Sequence, residues 1–524
     1  MTRAAPLRFD RFALVGDIAA SVRRLLNRSL LPIAGVLGAV TLYLIIANRP
    51  GAACFGLIAG GTCAVFFAWK EGGIGIPLLP AFALQHFLAY SLPVLTRNEV
   101  VMAYNPDYLT KAGEEVLIFF GALIVAWTVG MRTFRPSPPI SYILTDFNRD
   151  GGRKIKSAGF ALAGSATAYL VLQAAGVTDP IIAALPAGSG SAANALVSAA
   201  GTCGFFLVAM LAGGGDLKRT ERAAFWLLLF INCFVSAASF LLSTVIYIIF
   251  SVVAGLFWSS GRVPWRFLTV VFLALGFLNV GKYAMRDRYW HINIEGTDPI
   301  TSFSLSQMPA TYTEWVGASL DAISGKEAPV TWRTADERQV DSHSLLDRIN
   351  NLQNLLYVID VMDRRHIPPL GGETYALVPP LLLPTLLWPN KPHAHAGQVR
   401  LNVYFGRQDM LSTYSTYVAW GLLPEAYGNF GPVWGGVVLG VALGLFFAWL
   451  ENATARKMVL SLEGFLGFAV FLGMANSIEM VASVLVPSIV QAIEPIIVAA
   501  LPFVRRTNNR HAAYDDAAPP EPPA

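Results

Sequence analysis

The sequence predicts an all-α polytopic membrane protein with about twelve transmembrane helices and one large outer loop. Of its 524 residues, 54% are hydrophobic and only 14% are charged, which is too little polar surface to cover a soluble globule of this size. The hydrophobic residues gather into runs of about 20, the length that an α-helix needs to cross a bilayer. A net charge of +4 without a basic stripe gives no case for nucleic-acid binding.

Nine of the predicted spans lie between residues 30 and 283. They fall near 30–48, 51–69, 74–95, 113–132, 157–176, 192–213, twice within 223–258, and 265–283. The run 223–258 is too long for one helix and is predicted to divide near 236–239. Three more spans, near 431–450, 460–477 and 480–503, follow the polar insertion 284–430 and lie within 431–504.

Basic residues predict the orientation, because Lys and Arg are enriched in the short cytoplasmic loops of membrane proteins. With twelve spans, the basic N-terminus (1–29) and all the basic short loops fall on one side. These loops carry Lys70, Arg132, Arg135, Arg149, Arg153, Lys154, Lys156, Lys218, Arg219, Arg222, Arg262, Arg266, Arg456, Lys457, Arg505 and Arg506. Both termini are therefore expected in the cytoplasm and the insertion on the opposite face. The acidic, Pro-rich end of the tail 505–524 is expected to be disordered.

The insertion is the candidate functional region, because loops of this length are uncommon unless they are functional. Leu and Ile residues three and four apart predict an amphipathic helix over 342–363 that packs across the top of the spans. The next apolar run, 375–388, is too short to cross and contains Pro379, Pro380 and Pro384. It is predicted to be a re-entrant or interfacial segment.

Three cations bracket this segment, and each can be interpreted in two ways. Arg364, Arg365 and Lys391 would hold a lipid-linked phosphate, or they would only anchor the segment at the interface by snorkelling. His366 is a candidate proton acceptor for a sugar hydroxyl, with a surface histidine in a turn as the alternative.

Glu425 precedes a span, where a carboxylate is costly unless it is paired, so it is a functional candidate. His393 and His395 are two residues apart without a nearby carboxylate, a poor pattern for a metal site. We therefore expect no metal and no cofactor.

Two stretches of the insertion resemble a known family. The first, GGETYALVPPLLLPTLLWPNKP (371–392), has a Gly and Tyr, an apolar run, a Pro and then W-P-x-K-P; the second, LLPEAYGNFGPVWGG (422–436), contains E-x-Y-x-N-F-G. In both the chain is similar to bacterial O-antigen polymerases of the Wzy type. One departure is that Thr385 follows Pro384, where the family often has Pro-Arg.

The resemblance implies a metal-independent, GT-C-like glycosyltransferase on the periplasmic face of the bacterial inner membrane. Such a polymerase transfers a growing glycan from undecaprenyl pyrophosphate to a lipid-linked repeat unit, with flippase and chain-length regulator proteins as candidate partners. The residues that match the family's motifs are Tyr375, Pro389, Lys391, Glu425, Tyr427, Asn429 and Gly431. Because Thr385 replaces the usual arginine, Arg364, Arg365, or Arg286 or Arg288 from the early insertion is expected to supply that cation.

Three alternatives remain open from the sequence. An O-antigen ligase would use the same donor with a lipid A-core acceptor. A polysaccharide flippase or other transporter would carry charged residues within several spans, and a scaffold would use the insertion only for docking. The concentration of polar residues in the insertion favours an enzyme.

Overall fold

Helices make up most of the protein. The computed structural model describes residues 14–144, 151–178, 180, 189–240, 242–260, 262–289, 304–324, 330–333, 339–342, 350–383, 388, 390–414, 418–459, 461–500 and 504–508. Before the insertion the helices are α1 (Val15–Ile46), α2 (Ala52–Gly72), α3 (Leu78–Leu95), α4 (Glu99–Met102), α5 (Pro106–Thr133), α6 (Gly151–Ala174), α7 (Ser189–Gly214), α8 (Arg219–Ala237), α9 (Leu242–Ser260) and α10 (Trp265–Tyr289).

The insertion and the C-terminal part contain shorter elements. The insertion holds α11 (Met308–Ile323), α12 (Leu352–Arg365), α13 (Val378–Leu382), α14 (Ala396–Tyr404) and α15 (Leu422–Phe430). The chain then forms α16 (Trp434–Thr454), α17 (Leu462–Gly473) and α18 (Ala482–Ala500). Two antiparallel pairs of strands accompany the helices, β1 (Ile140–Leu144) with β4 (Val504–Asn508) and β2 (Val330–Arg333) with β3 (Gln339–Ser342).

The predominance of helices fits the predicted all-α multi-pass membrane protein, to which the two short strand pairs are an addition. In the part of the chain that the structure describes, eight helices are long and apolar enough to cross a membrane. Four shorter apolar helices, Ala200–Gly214, Thr244–Phe257, Leu462–Ile478 and Ala482–Gln491, coincide with the remaining predicted spans. The run 223–258 divides between α8 and α9, close to the predicted point, where Phe240 has a positive φ of 58°.

Helix α1 begins well inside the stretch predicted as the N-terminal tail (1–29). Its first turns carry Arg23, Arg24 and Arg28. Arginine is a good helix former, so the helix extends past the apolar run that hydropathy detects.

Lys457 joins several basic loops at one end of the helix bundle. Its carbonyl accepts the N–H of Val15 at 2.9 Å, and its ammonium donates to the carbonyl of Ile140 at 2.6 Å. Strand β1 pairs in turn with β4. The start of α1, the segment after α5, the loop after α16 and the segment after α18 therefore meet at the same end of the bundle.

Helices α5 and α16 pack through a row of glycines four residues apart, Gly436, Gly440 and Gly444. A Cβ atom at Gly440 would lie 2.7 Å from the carbonyl oxygen of Phe119, and one at Gly444 would lie 2.5 Å from that of Leu123. In lipid, the hydrophobic effect does not drive helices together, because the lipid tails are as apolar as the side chains. Helices associate instead through close packing, which small residues allow. The glycines therefore set the distance between α5 and α16.

A buried carboxylate reinforces this contact. Glu115 on α5 accepts the backbone N–H groups of Val433 at 2.9 Å and Gly436 at 2.6 Å. These groups lie at the start of α16, where N–H donors have no partner within their own helix.

A second buried carboxylate lies near the other end of α16. Glu451 accepts the indole N–H groups of Trp69 at 3.0 Å and Trp127 at 2.9 Å. It also accepts the backbone N–H of Ile74 at 3.4 Å, so it ties α2, α5 and α16 together.

The predicted elements of the insertion are found in part. Helix α12 covers the second half of the predicted amphipathic helix, and its residues 352–361 are buried. The predicted re-entrant run begins with a 3₁₀ turn, Tyr375–Leu377, and the short helix α13. Residues 343–349 and 384–387, which include Pro384 and Thr385, lie outside the described residues, as does Pro389.

We predict that Gly440→Leu destabilises the protein, because its side chain would meet the backbone of α5. Overpacking of this kind costs roughly 1–3 kcal/mol, and we expect a lower midpoint of thermal unfolding in detergent. Gly121→Leu on α5 is the matched control, because a Cβ at Gly121 has nothing within 4 Å. Equal midpoints for the two variants would contradict the packing argument.

Candidate functional site

The two motif stretches meet at Thr374, which lies between two side chains of α15. Its hydroxyl donates to Glu425 Oε1 at 2.7 Å and accepts from Asn429 Nδ2 at 2.8 Å. The same Asn429 nitrogen donates to the carbonyl of Glu425 at 2.8 Å. All three side chains are fully buried, so they form a closed polar cluster, which we call the Glu425 cluster.

Glycines allow the turn that carries Thr374 to reach α15. Gly371 and Gly372 have φ angles of 65° and 91°, a region that glycine adopts without strain. The N–H of Leu370 donates to the carbonyl of Gly428 at 3.0 Å, and that of Gly371 to the carbonyl of Asn429 at 2.8 Å. The turn thereby satisfies carbonyls at the end of α15 that have no intrahelical donor.

Glu425 also binds the start of α18. Its Oε2 accepts the N–H of Ala482 at 2.7 Å, at a helix N-terminus, where a carboxylate is favoured by the helix dipole. Burial raises the pKa of Glu425 to about 7, although its hydrogen bonds from Ala482 and Thr374 act in the opposite direction. The carboxyl can therefore exchange a proton near neutral pH.

Two tyrosines lie close to the cluster. The ring of Tyr375 stacks on Phe430 with centroids 5.6 Å apart, and its buried hydroxyl has no hydrogen-bond partner in the described part of the chain. Burial, with the charge of Glu425, raises the pKa of Tyr375. Tyr427 is also buried, and burial raises the pKa of its phenol. Tyr375 thus keeps its proton and presents a free O–H donor beside Glu425.

Arg364, Arg365 and His366 end helix α12 at the surface. The Nη2 of Arg364 donates to both carboxylate oxygens of the buried Asp360, at 2.5 and 2.7 Å. Arg365 and His366 are exposed. His366 has a φ of 52°, the left-handed conformation in which many helices end. The structure therefore brings these three residues together at one helix end.

Lys391 binds the end of the re-entrant run. Its ammonium donates to the carbonyls of Leu383 at 2.5 Å and Leu381 at 3.4 Å. Cations commonly satisfy the last carbonyls of a helix in this way. Lys391 therefore caps the carbonyl end of α13.

Arg286 and Arg288 lie at the end of α10. The Nη2 of Arg286 donates to the carbonyl of Phe240 at 2.8 Å, and Arg288 forms an ion pair with Glu314 of α11. Neither Phe240 nor Glu314 belongs to the Glu425 cluster. These contacts join α10 to the start of α9 and to α11.

The structure adds a residue that the sequence did not single out, Arg407. Its Nη2 donates to Asn354 Oδ1 at 2.8 Å, and its guanidinium carbon lies 5.1 Å from the ring centroid of Tyr357 and 5.7 Å from that of Trp420. Its Nη1 is buried without a hydrogen-bond partner among the described residues. Burial lowers the pKa of Arg407, but an arginine remains protonated in proteins.

We predict that the titration of Glu425 makes the stability of the protein pH-dependent. Between pH 4.5 and about 7 the folded chain keeps a proton on Glu425 that the unfolded chain has released. The free energy of unfolding therefore falls as the pH rises through this window, by roughly 3 kcal/mol at most, and is level above it. Thermal unfolding of the purified protein at several pH values measures this fall.

Glu425→Gln resembles the protonated form and cannot titrate, so this variant should lose that part of the pH dependence. Glu373→Gln, on the exposed face of the same turn, serves as the control and should behave as wild type. If Glu425→Gln and the wild type lose stability equally between pH 5 and 7, the prediction is wrong.

Comparisons with family models, with curated proteins and with solved structures find no match to this chain.

Proposed function

We propose that the chain is a glycan polymerase of the bacterial inner membrane. It transfers a growing glycan from undecaprenyl pyrophosphate to a hydroxyl of a lipid-linked repeat unit on the periplasmic face. The observation that carries this proposal is the hydrogen bond between Thr374 and Glu425, which are 51 residues apart. It joins the two stretches that resemble O-antigen polymerases into one polar cluster, and Leu370, which follows the cationic end of α12 in the chain, is bonded to the same helix α15.

The proposed topology has twelve spans, cytoplasmic termini and a periplasmic insertion. The eight long and four shorter apolar helices support it, as do the contacts of Lys457 that gather the basic loops at one end of the bundle. The Glu425 cluster then faces the periplasmic side of the membrane, where lipid-linked repeat units are joined.

In the proposed reaction the acceptor hydroxyl attacks the anomeric carbon of the glycan. The new carbon–oxygen bond forms as the bond to the phosphate oxygen breaks, and undecaprenyl pyrophosphate leaves with its electron pair. Arg365 supplies positive charge for this leaving group, while Arg364 is already paired with Asp360. His366 receives the hydroxyl proton, because it is exposed beside them, whereas both oxygens of Glu425 are bonded inside the protein.

Glu425 acts in this scheme as a positioning residue. It fixes Thr374 and the start of α18, and Tyr375 follows Thr374 directly in the chain. The free hydroxyl of Tyr375 can then donate to a sugar oxygen that enters beside the cluster.

The carboxylates inside the spans favour an enzyme over a transporter. Glu115 and Glu451 bind backbone and indole N–H groups of neighbouring helices. They are therefore accounted for by helix packing, and a transport pathway is not needed to explain them. Charged groups that serve transport are expected to face a cavity.

We predict that the purified protein in lipid converts an undecaprenyl pyrophosphate-linked repeat unit into a ladder of longer glycans without added metal. His366→Ala should reduce the rate at least about 100-fold, because general base catalysis contributes this much or more. His393→Ala, which removes another exposed histidine of the insertion, should leave the ladder unchanged. Gel separation of radiolabelled products measures both.

A normal ladder from His366→Ala would exclude His366 as the base. Movement of the lipid substrate across the bilayer without chain growth would identify a flippase. Transfer of the glycan to a lipid A-core acceptor in place of a repeat unit would identify a ligase.

A further inference from the structure

Arg407 is a half-buried cation whose Nη1 is enclosed, and no described residue neutralises its charge. Among the described residues it contacts one amide oxygen and two aromatic rings, with no carboxylate in ion-pair contact. Its Nη1 is enclosed without a hydrogen-bond partner. Leaving a charged donor buried and unpaired is costly, so an arginine in this position indicates that a ligand completes the site.

A series of side-chain amides fixes the direction of the guanidinium. Asn354 Nδ2 donates to Asn351 Oδ1 at 2.6 Å and to the carbonyl of Trp420 at 3.1 Å. Asn351 Nδ2 donates in turn to the hydroxyl oxygen of Tyr90 at 3.0 Å. Both N–H groups of Asn354 are used in these bonds, so the oxygen of Asn354 must face the guanidinium of Arg407. The series ends on α3, within a membrane span, and gives Arg407 a rigid support.

The two aromatic rings enclose the guanidinium and are themselves held in place. The indole N–H of Trp420 donates to Asn402 Oδ1 at 2.6 Å, and the hydroxyl of Tyr357 donates to the carbonyl of Phe405 at 3.1 Å. The rings attract the cation, but they carry no net charge. An anion that reaches Nη1 would therefore meet a full positive charge in a region with little water.

The surroundings favour a phosphoryl group over a single carboxylate. The Nη1 of Arg365 lies 3.2 Å from the position that a Cβ on Gly406 would take, and Gly406 directly precedes Arg407 in the chain. A second arginine thus approaches the backbone next to Arg407, and two arginines suit a ligand with several anionic oxygens. Phe405, the residue before this glycine, packs against Gly428 of α15, the helix that carries Glu425.

We propose that Arg407, held by Asn354, is a binding residue for a phosphoryl oxygen of a diphosphate. The identification of this diphosphate with that of the glycan donor rests on the function proposed above. The O-antigen polymerases often have an arginine after the proline that corresponds to Pro384, where this chain has Thr385. In this proposal Arg407 supplies that missing cation. Its role differs from that of Arg364, whose guanidinium is already bonded to Asp360.

The test measures binding of radiolabelled inorganic pyrophosphate to the full-length protein in lipid nanodiscs. Arg407→Lys removes the planar fork, and Asn354→Asp places a carboxylate where an amide oxygen now accepts from Nη2 at 2.8 Å. Each change should weaken binding about tenfold or more. Arg407→Lys loses the planar fork, and the new Asp in Asn354→Asp would serve as an internal counter-ion for Arg407. Arg400→Gln is the control, because Arg400 is exposed and paired with Glu373; this variant should bind as wild type.

Thermal unfolding of each variant without ligand confirms that it is folded. Wild-type affinity in both folded Arg407→Lys and Asn354→Asp would overturn the proposal. Displacement of the label by undecaprenyl pyrophosphate supports a lipid source for the diphosphate, and displacement by free pyrophosphate alone supports a soluble source. If binding depends on Arg407 but no glycan ladder forms, the anion site stands and the polymerase proposal fails.

Discussion

The carboxylate of Glu425 joins the insertion to the start of α18. A buried carboxylate is stable only if its oxygens receive hydrogen bonds. Glu425 receives them from Thr374 and from the N–H of Ala482. Its own helix, the turn with two glycines and the start of α18 are therefore fixed to one another. The position of Tyr375, and the closeness of both motif stretches, follow from this junction.

The same chemistry recurs within the bilayer. Glu115 accepts N–H groups at the start of α16, and Glu451 accepts two indoles and a backbone N–H. All three glutamates thus bind donors on another segment, with glycines such as Gly436 allowing the close approach. A carboxylate in a span is therefore not by itself evidence for transport in this chain, because helix packing already accounts for it.

Hydropathy predicted the long apolar helices, because the length of an apolar run is set by the bilayer and is visible in the sequence. The division near 236–239 also followed from length. The start of α1 was not predicted, because Asp17, Arg23, Arg24 and Arg28 interrupt the apolar pattern of its first fourteen residues. At the candidate site, Tyr375, Glu425 and Asn429 were predicted from their motif, whereas Thr374 carries no distinctive signal. Arg407 could not be found, because its burial depends on Tyr357 and Trp420, which are distant in the sequence.

Among the described residues of the insertion, Arg364 is paired with a carboxylate, whereas the contacts of Arg407 are all with neutral groups. Arg364 follows Asp360 by four residues, a spacing that brings the two side chains together on a helix and that the structure realises as a bidentate contact. Lys391 is bonded to carbonyls. Arg407 faces only neutral groups among its described contacts. Since neutral groups cannot compensate a buried charge fully, the partners of each cation are a better guide to anion binding here than its place in a motif.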